Sequence, residues 1–360
     1  YKEDFIAATM STELNSTSKL REFVEELKRL KIEVVRPCIN NCFAEFKAEK
    51  NKIFYALSAI KNVGFEAISN IVEERKKNGK FNSIIDFIKR VKPKDVNKLQ
   101  LEGLVKAGAF DSLDENRAKL FHSIPKIILA IKNIYEEKIS NQSNLFGDTD
   151  DNSNKIFEFE NKVMWTKKEI LSEEFTSLGF YISDHPLNEY KDLFSQLKIK
   201  SYKDFIESNE NESLVAGTIM SIQEKKSSKG TPFSIIKFSD NSGEYEIFLF
   251  SELLISNRDR LKESNSFILT LQKDKFSENS ISPRINVRKV LDLSELVNKS
   301  YKKVSIELKD NYNLEDLKSI LKEEGETQIN ILVKDKNKTL AFQLERTRKF
   351  DFNIFNDIKS

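Results

Sequence analysis

Cysteine and histidine are scarce in this chain. Cys38 and Cys42 are the two cysteines, and His122 and His185 the two histidines, of 360 residues. The Cys-x3-Cys spacing would suit half of a zinc site, but a structural site needs four ligands and no second pair exists. The expectation is no metal, and two free thiols point to a reducing compartment, the cytoplasm. No apolar run reaches transmembrane length and no signal peptide opens the chain, so no membrane partner is expected. The chain begins at Tyr1 without an initiator Met, which reads as a piece of something longer. Walker, GxSxG and HExxH patterns are missing. The acidic residues do not cluster as two-metal phosphate chemistry requires; they alternate with lysines as solvated helix faces do. No catalytic residue and no cofactor are assigned.

An excess of one charge is lacking as well. Lys+Arg number 59 and Asp+Glu 57, a formal net of +2. Local charge is more telling. From Lys50 to Lys106 there are 13 Lys/Arg and 6 Asp/Glu, 13 − 6 = +7; from Glu136 to Glu160 there are 2 Lys and 7 acids, 2 − 7 = −5. The first region suits a polyanion.

That basic region contains Ile60-Lys61-Asn62-Val63-Gly64, a tight turn between two apolar-periodic segments. Phe54, Leu57 and Ile60 precede it, and Phe65, Ile68, Ile71 and Val72 follow. The pattern predicts helix, hairpin, helix. Such a hairpin aims consecutive backbone N–H groups outward beside a helix N-terminus, where the dipole favours an anion. A backbone nest suits a phosphate and reads no base. Lys61, Asn62, Val63 and Gly64 are therefore candidate DNA-binding residues. Asn62 stands where glycine is usual, and Asn is the next most tolerant of left-handed backbone. A helix-turn-helix connection without a ligand is the alternative. A second hairpin, Lys106-Ala107-Gly108-Ala109-Phe110, offers Lys106 and the backbone of Gly108 as further candidates, although alone it reads as structural.

Along the chain, residues 1–30 read as helices, with Thr17 or Ser18 capping the one that carries Leu20, Phe23, Val24, Leu27 and Leu30. Residues 32–35 read as extended. Short helices fill 54–121, broken at Ser83 and Pro93, and Ile124–Ile139 reads as another helix. Residues 140–155 are polar and acidic, a linker by composition. Within it, Gln142, Leu145 and Phe146 make a short peptide with two adjacent apolar anchors, the form of a pocket-binding motif. Docking of Leu145 and Phe146 back onto their own domain is equally compatible with the pattern. Residues 163–210 read as helical.

The pattern then changes to short β-rich runs at 214–222, 233–238, 245–250, 266–271 and 281–291. A turn lies at Asn241-Ser242-Gly243 and a helix at 252–261. Five strands with a helix between the third and fourth is the order of an OB-fold barrel. Lys225, Lys226 and Lys229 fall in its first strand-to-strand loop, a position that binds single strands by charge and stacking. Phe233 reads as core. Residues 301–360 alternate strand (303–308), helix (314–321) and strands (329–334, 339–344). The fold class expected is multidomain α+β: a helical helix-hairpin-helix domain, a five-stranded OB-fold β-barrel and a small C-terminal α/β domain.

Several stretches match one family as text. Residues 32–46, IEVVRPCINNCFAEF, 57–75, LSAIKNVGFEAISNIVEER, and 97–113, NKLQLEGLVKAGAFDSL, do so in order, as do 142–147, QSNLFG, and 178–187, LGFYISDHPL. Together they resemble the C-terminal half of the bacterial replicative DNA polymerase III α subunit. The resemblance implies the end of the fingers at 1–48, a helix-hairpin-helix DNA-binding domain at 49–140 and a clamp-binding linker at 141–155. It further implies a helical connector at 156–212, an OB-fold domain at 213–293 and a small C-terminal domain at 294–360. Duplex DNA, the single-stranded template, the β sliding clamp and the clamp-loader τ subunit are the partners it implies, within a bacterial replisome. The catalytic carboxylates and their Mg2+ would lie upstream of Tyr1. The alternatives are a DNA- or tRNA-binding module of another enzyme, such as a DNA ligase or an aminoacyl-tRNA synthetase, and a stand-alone adaptor. The missing nucleotidyl-lysine and ATP-site motifs oppose the first of these.

Overall fold

The structure, a computed structural model, describes residues 2–139, 158–228, 230–274, 284–308, 314–335 and 338–359. The chain divides into two compact units, Tyr1–Pro186 and Leu187–Ser360.

The first unit opens with helices α1 (Lys2–Thr12) and α2 (Thr17–Arg29). Ser16, one residue ahead of the expected position, is the N-cap of α2, and Leu20, Val24 and Leu27 face the core. A small sheet follows, formed by β1 (Glu33–Val35), β2 (Lys47–Glu49) and β3 (Lys52–Phe54) in the order β1-β3-β2. Lys50 and Asn51 both take positive φ, 49° and 62°, as a two-residue hairpin turn requires. Between β1 and β2 the cysteines form a turn, the Cys42 N–H donating to the Cys38 carbonyl at 2.8 Å. The buried Arg75 guanidinium closes it by donating to the carbonyls of Ile39 (2.5 Å) and Cys42 (2.8 Å). Burial pushes the Cys42 thiol up to about 12. Among the described residues no group of three or more His, Cys, Asp or Glu could hold a metal ion.

The helix expected before the first hairpin is absent. Phe54 ends β3, and Leu57–Ala59 is a 3-10 turn. The three-residue spacing of Leu57 and Ile60 is the 3-10 period, which reads as helical in sequence. Helices α3 (Phe65–Asn78), α4 (Ile84–Arg90), α5 (Lys98–Lys106), α6 (Arg117–Ile139) and α7 (Lys167–Leu178) complete this unit. Ser83 and Asn97 cap α4 and α5, accepting from the N–H groups of Asp86 and Gln100. Thr166 and Glu169 form a capping box on α7. Helix α6 starts at Arg117, well before the expected Ile124, and runs through Pro125. Phe87 holds the centre, with edge-on contacts to Phe81 (5.2 Å) and Phe110 (5.0 Å).

The second unit begins with α8 (Lys191–Gln196) and α9 (Tyr202–Glu207). Then come β4 (Glu212–Lys226), β5 (Pro232–Asp240), β6 (Gly243–Phe250), α10 (Ser251–Asn257), β7 (Ser266–Lys273) and β8 (Ile285–Asp292). They form one five-stranded antiparallel sheet in the order β6-β5-β4-β7-β8. The long β4 pairs with β7 over its first half and with β5 over its second, bending at a bulge after Ile219. One face buries Val215, Ile236, Phe238, Ile247, Phe267 and Leu269. The strand number and the helix between third and fourth strands are those expected; the closed barrel is not. The edges β6 and β8 approach each other but share no ladder among the described residues.

The chain ends with α11 (Leu293–Val297), β9 (Lys303–Leu308), α12 (Leu314–Ile320), β10 (Glu324–Asp335), β11 (Lys338–Gln343) and α13 (Phe352–Lys359). The last three strands form a sheet in the order β11-β10-β9, with β9 parallel and β11 antiparallel to β10. Leu317, Leu321 and Phe350 pack on Ile306 and Ile329. No helix among the described residues is long and apolar enough to cross a membrane.

Candidate nucleic-acid interface

The Lys61–Gly64 turn is pinned by its apolar residues. Ile60 and Val63 are buried, while Lys61, Asn62 and Gly64 are exposed. The Val63 N–H donates to the Ile60 carbonyl at 3.1 Å. Asn62, third in this four-residue turn, has φ 66°. That sign at the third position is the type II pattern, where Gly or Asn is required. Gly64 is extended (φ −78°, ψ 137°) and serves as the N-cap of α3, with no side-chain cap.

Within the turn itself the donors alternate between used and unused. The Lys61 N–H is taken by the Ser177 carbonyl at 3.0 Å and the Val63 N–H by Ile60. The N–H groups of Asn62, Gly64, Phe65 and Glu66 have no acceptor among the described residues. The last three sit at the head of α3, where helix geometry supplies no partner and the dipole is positive. Lys61 makes no ion pair among the described residues. Exposed Phe65 and Lys76 of α3, with Phe43 and Lys47, line an adjoining groove of about 310 Å³. Glu45 and Glu73 on the same walls balance the two lysines.

The Lys106–Phe110 turn is satisfied internally. Gly108 is buried and left-handed (φ 76°). Its N–H donates to Val105 and that of Ala109 to Leu104, at 3.0 and 2.9 Å, a Schellman closure of α5. The Lys106 ammonium pairs with Glu173 at 2.9 Å and lies over the Phe121 ring. Arg117 clamps Asp111 through two nitrogens, at 2.8 and 2.5 Å, and also donates to the Lys106 carbonyl. Lys106 and Gly108 thus have internal partners for the groups that would meet a phosphate.

In the second unit, Lys225 and Lys226 are the last residues of β4 rather than loop residues, because the β4–β5 ladder continues to the Lys226–Pro232 pair. Lys229 lies outside the described residues, as do Gln142, Leu145 and Phe146. Phe233 is not in the core. Ser234, Ile236 and Phe238 face inward, so strand alternation turns Phe233 outward. Its ring stacks on Phe250, which is 48% exposed, at 6.2 Å, and the Arg284 guanidinium lies 5.9 Å from the Phe250 ring. Register places Lys225, Phe233 and Phe250 in one row, and Gln223, Ile235 and the exposed Phe248 in the next. The expectation that Phe233 is core is therefore corrected; the alternation of 234, 236 and 238 is the signal that reveals the outward row.

Residues 31–120 match the family model of the helix-hairpin-helix motif, so the first unit carries that motif. Over longer stretches the chain is homologous to DNA polymerase III subunits alpha of many bacteria. It is 34% identical to that of Borreliella burgdorferi, over 88% of this chain and 28% of the relative. For Caulobacter vibrioides the identity is 32%, over 75% and 24%. For Rickettsia bellii it is 30%, over 75% and 25%. The chain therefore spans about a quarter of the length of these relatives.

Proposed function

We propose that the chain is the DNA- and clamp-binding C-terminal part of a bacterial DNA polymerase III α subunit. In this reading Asn62, Gly64 and the head of α3 hold duplex phosphates by backbone N–H, Lys61 adds one ammonium, and Val63 anchors the turn. The observation that carries it is the α3 N-terminus without a side-chain cap, beside a lysine that has no ion pair among the described residues, inside the segment that matches the helix-hairpin-helix model. Lys106 and Gly108 are left out of the phosphate contact, given their internal partners at the end of α5. The parent would be a DNA-directed DNA polymerase whose catalytic carboxylates and Mg2+ ligands lie outside these residues.

Backbone contact to phosphate predicts duplex binding that ignores sequence and weakens steeply with salt. Lys61→Gln should reduce the slope of log K against log salt by about 0.9, one phosphate's worth. An unchanged slope, or strong preference for one duplex sequence, would sink the proposal.

Two further parts of the reading have their own support. The QSNLF stretch resembles the family's clamp motif, in which Leu145 and Phe146 would be the anchors. Replacing both with Ala should abolish capture by a bacterial sliding clamp, and retained capture would remove that role. The second-unit sheet has the strand order of an OB-fold, and its outer rows combine charge with exposed rings, as single-strand platforms do. Phe250→Ala should weaken oligo(dT) binding by roughly 1–3 kcal/mol, the worth of one stacked base. Equal binding would restrict the platform to its lysines. The τ contact at 294–360 rests on position along the chain alone.

A further inference from the structure

We infer that Gly103 of α5 and the backbone carbonyl of Ser177 on α7 are positioning groups for the phosphate-binding turn, an inference that rests on the duplex reading above. Both act on Lys61. The Ser177 carbonyl accepts the Lys61 N–H at 3.0 Å, which holds the peptide before Lys61. Gly103 lies under the peptide after it. A Cβ at 103 would stand 2.7 Å from the Lys61 carbonyl oxygen and 3.4 Å from the γ2 methyls of Ile60 and Val63. The turn's two apolar pins therefore both border the space that a side chain at 103 would take.

The consequence follows from peptide planarity. In a trans peptide the C=O of one residue and the N–H of the next point in opposite directions. The Lys61 carbonyl points toward α5, so the N–H of Asn62 points away from it. That N–H is one of the donors without an acceptor among the described residues. Gly103 thus sets the aim of a phosphate donor that it never touches. With both flanking peptides held, the direction in which the Lys61 side chain leaves the turn is also set. Glycine inside a helix is unfavourable relative to alanine. At 103 the missing side chain is the space into which the turn settles.

The test is a double-mutant cycle on the whole chain, read by duplex affinity and its salt slope. Gly103→Ala should weaken duplex binding roughly tenfold, within the range of coupling between touching residues. It should also lower the salt slope, a quantity that altered packing alone would leave in place. In a Lys61→Gln background the same change should cost much less, because both act on one contact. Leu99→Ala, on the exposed side of α5, should leave affinity unchanged. Full affinity in folded Gly103→Ala, or losses that simply add, overturns the inference and leaves the duplex reading standing. Unchanged binding in Lys61→Gln overturns the duplex reading itself. If Gly103→Ala does not fold, Val63→Ala loosens the same seat without adding bulk. Reduced affinity there supports the inference, and wild-type affinity overturns it.

Discussion

The first unit contains two turns built from the same materials, Lys61-Asn62-Val63-Gly64 and Lys106-Ala107-Gly108, and it uses them in opposite ways. In the second, glycine takes the left-handed position and is buried, the backbone N–H groups close α5, and the lysine pairs with Glu173. In the first, Asn62 takes the left-handed position, Gly64 is extended and exposed, and the lysine has no ion pair among the described residues. Lysine and glycine in a tight turn therefore do not distinguish a ligand grip from a helix cap. What distinguishes them is where each backbone N–H goes, since every buried donor must be satisfied internally. The inward turn uses its donors for the fold, and the outward turn leaves several without an acceptor among the described residues.

The largest effect that this contrast predicts is on stability, at Gly108. A side chain there meets two penalties. Left-handed backbone costs an L-residue about 1–2 kcal/mol. The added Cβ would stand 2.1 Å from an Arg117 nitrogen and 2.8 Å from an Asp111 oxygen. Overpacking of this kind costs about 1–3 kcal/mol. Gly108→Ala should lower the thermal midpoint of the first unit clearly, while protein that remains folded keeps its duplex salt slope. A reduced slope with an unchanged midpoint would reverse the roles of the two turns.

Much of this contrast was legible in sequence, and the part that was not has physical causes. The strands of the second unit are rich in β-branched and aromatic residues, and β5 and β6 alternate over most of their lengths, so β5 to β8 emerge within a few residues of the expected runs. The tolerance of Asn62 for positive φ was readable from its type alone. The partners of Lys106 were not. Glu173 comes from α7, far along the chain, and no local pattern announces such a pair. The strand at 52–54 was hidden because Leu57 and Ile60 share a spacing with helical residues, and because Lys50-Asn51 is not a usual hairpin pair. Gly103 left one faint signal, a glycine inside a helical stretch, which in isolation reads as a modest defect. Phe233 was misread although the alternation of 234, 236 and 238 already turned it outward.

The smallest effect on stability is expected at Gly64, and it separates the two glycines most sharply. Its φ of −78° and ψ of 137° suit any L-residue, and an added Cβ would meet nothing within 4 Å. Two opposing contributions then nearly cancel. Restricting the unfolded chain stabilises by about 0.4–1 kcal/mol. Alanine is a poorer N-cap than glycine, by an amount on the order of tenths of a kcal/mol to one kcal/mol. The thermal midpoint of Gly64→Ala should therefore stay close to that of the parent. Duplex affinity should still fall, because a methyl group stands beside the unpaired N–H groups that a phosphate must approach, and glycine is the residue that permits such an approach. Loss of affinity without loss of stability would mark Gly64 as a glycine kept for a ligand, where Gly108 is kept for the fold. A Gly64→Ala protein that melts and binds like the parent would leave the exposed glycine without a role, and the outward turn would then depend on Lys61 and Asn62 alone.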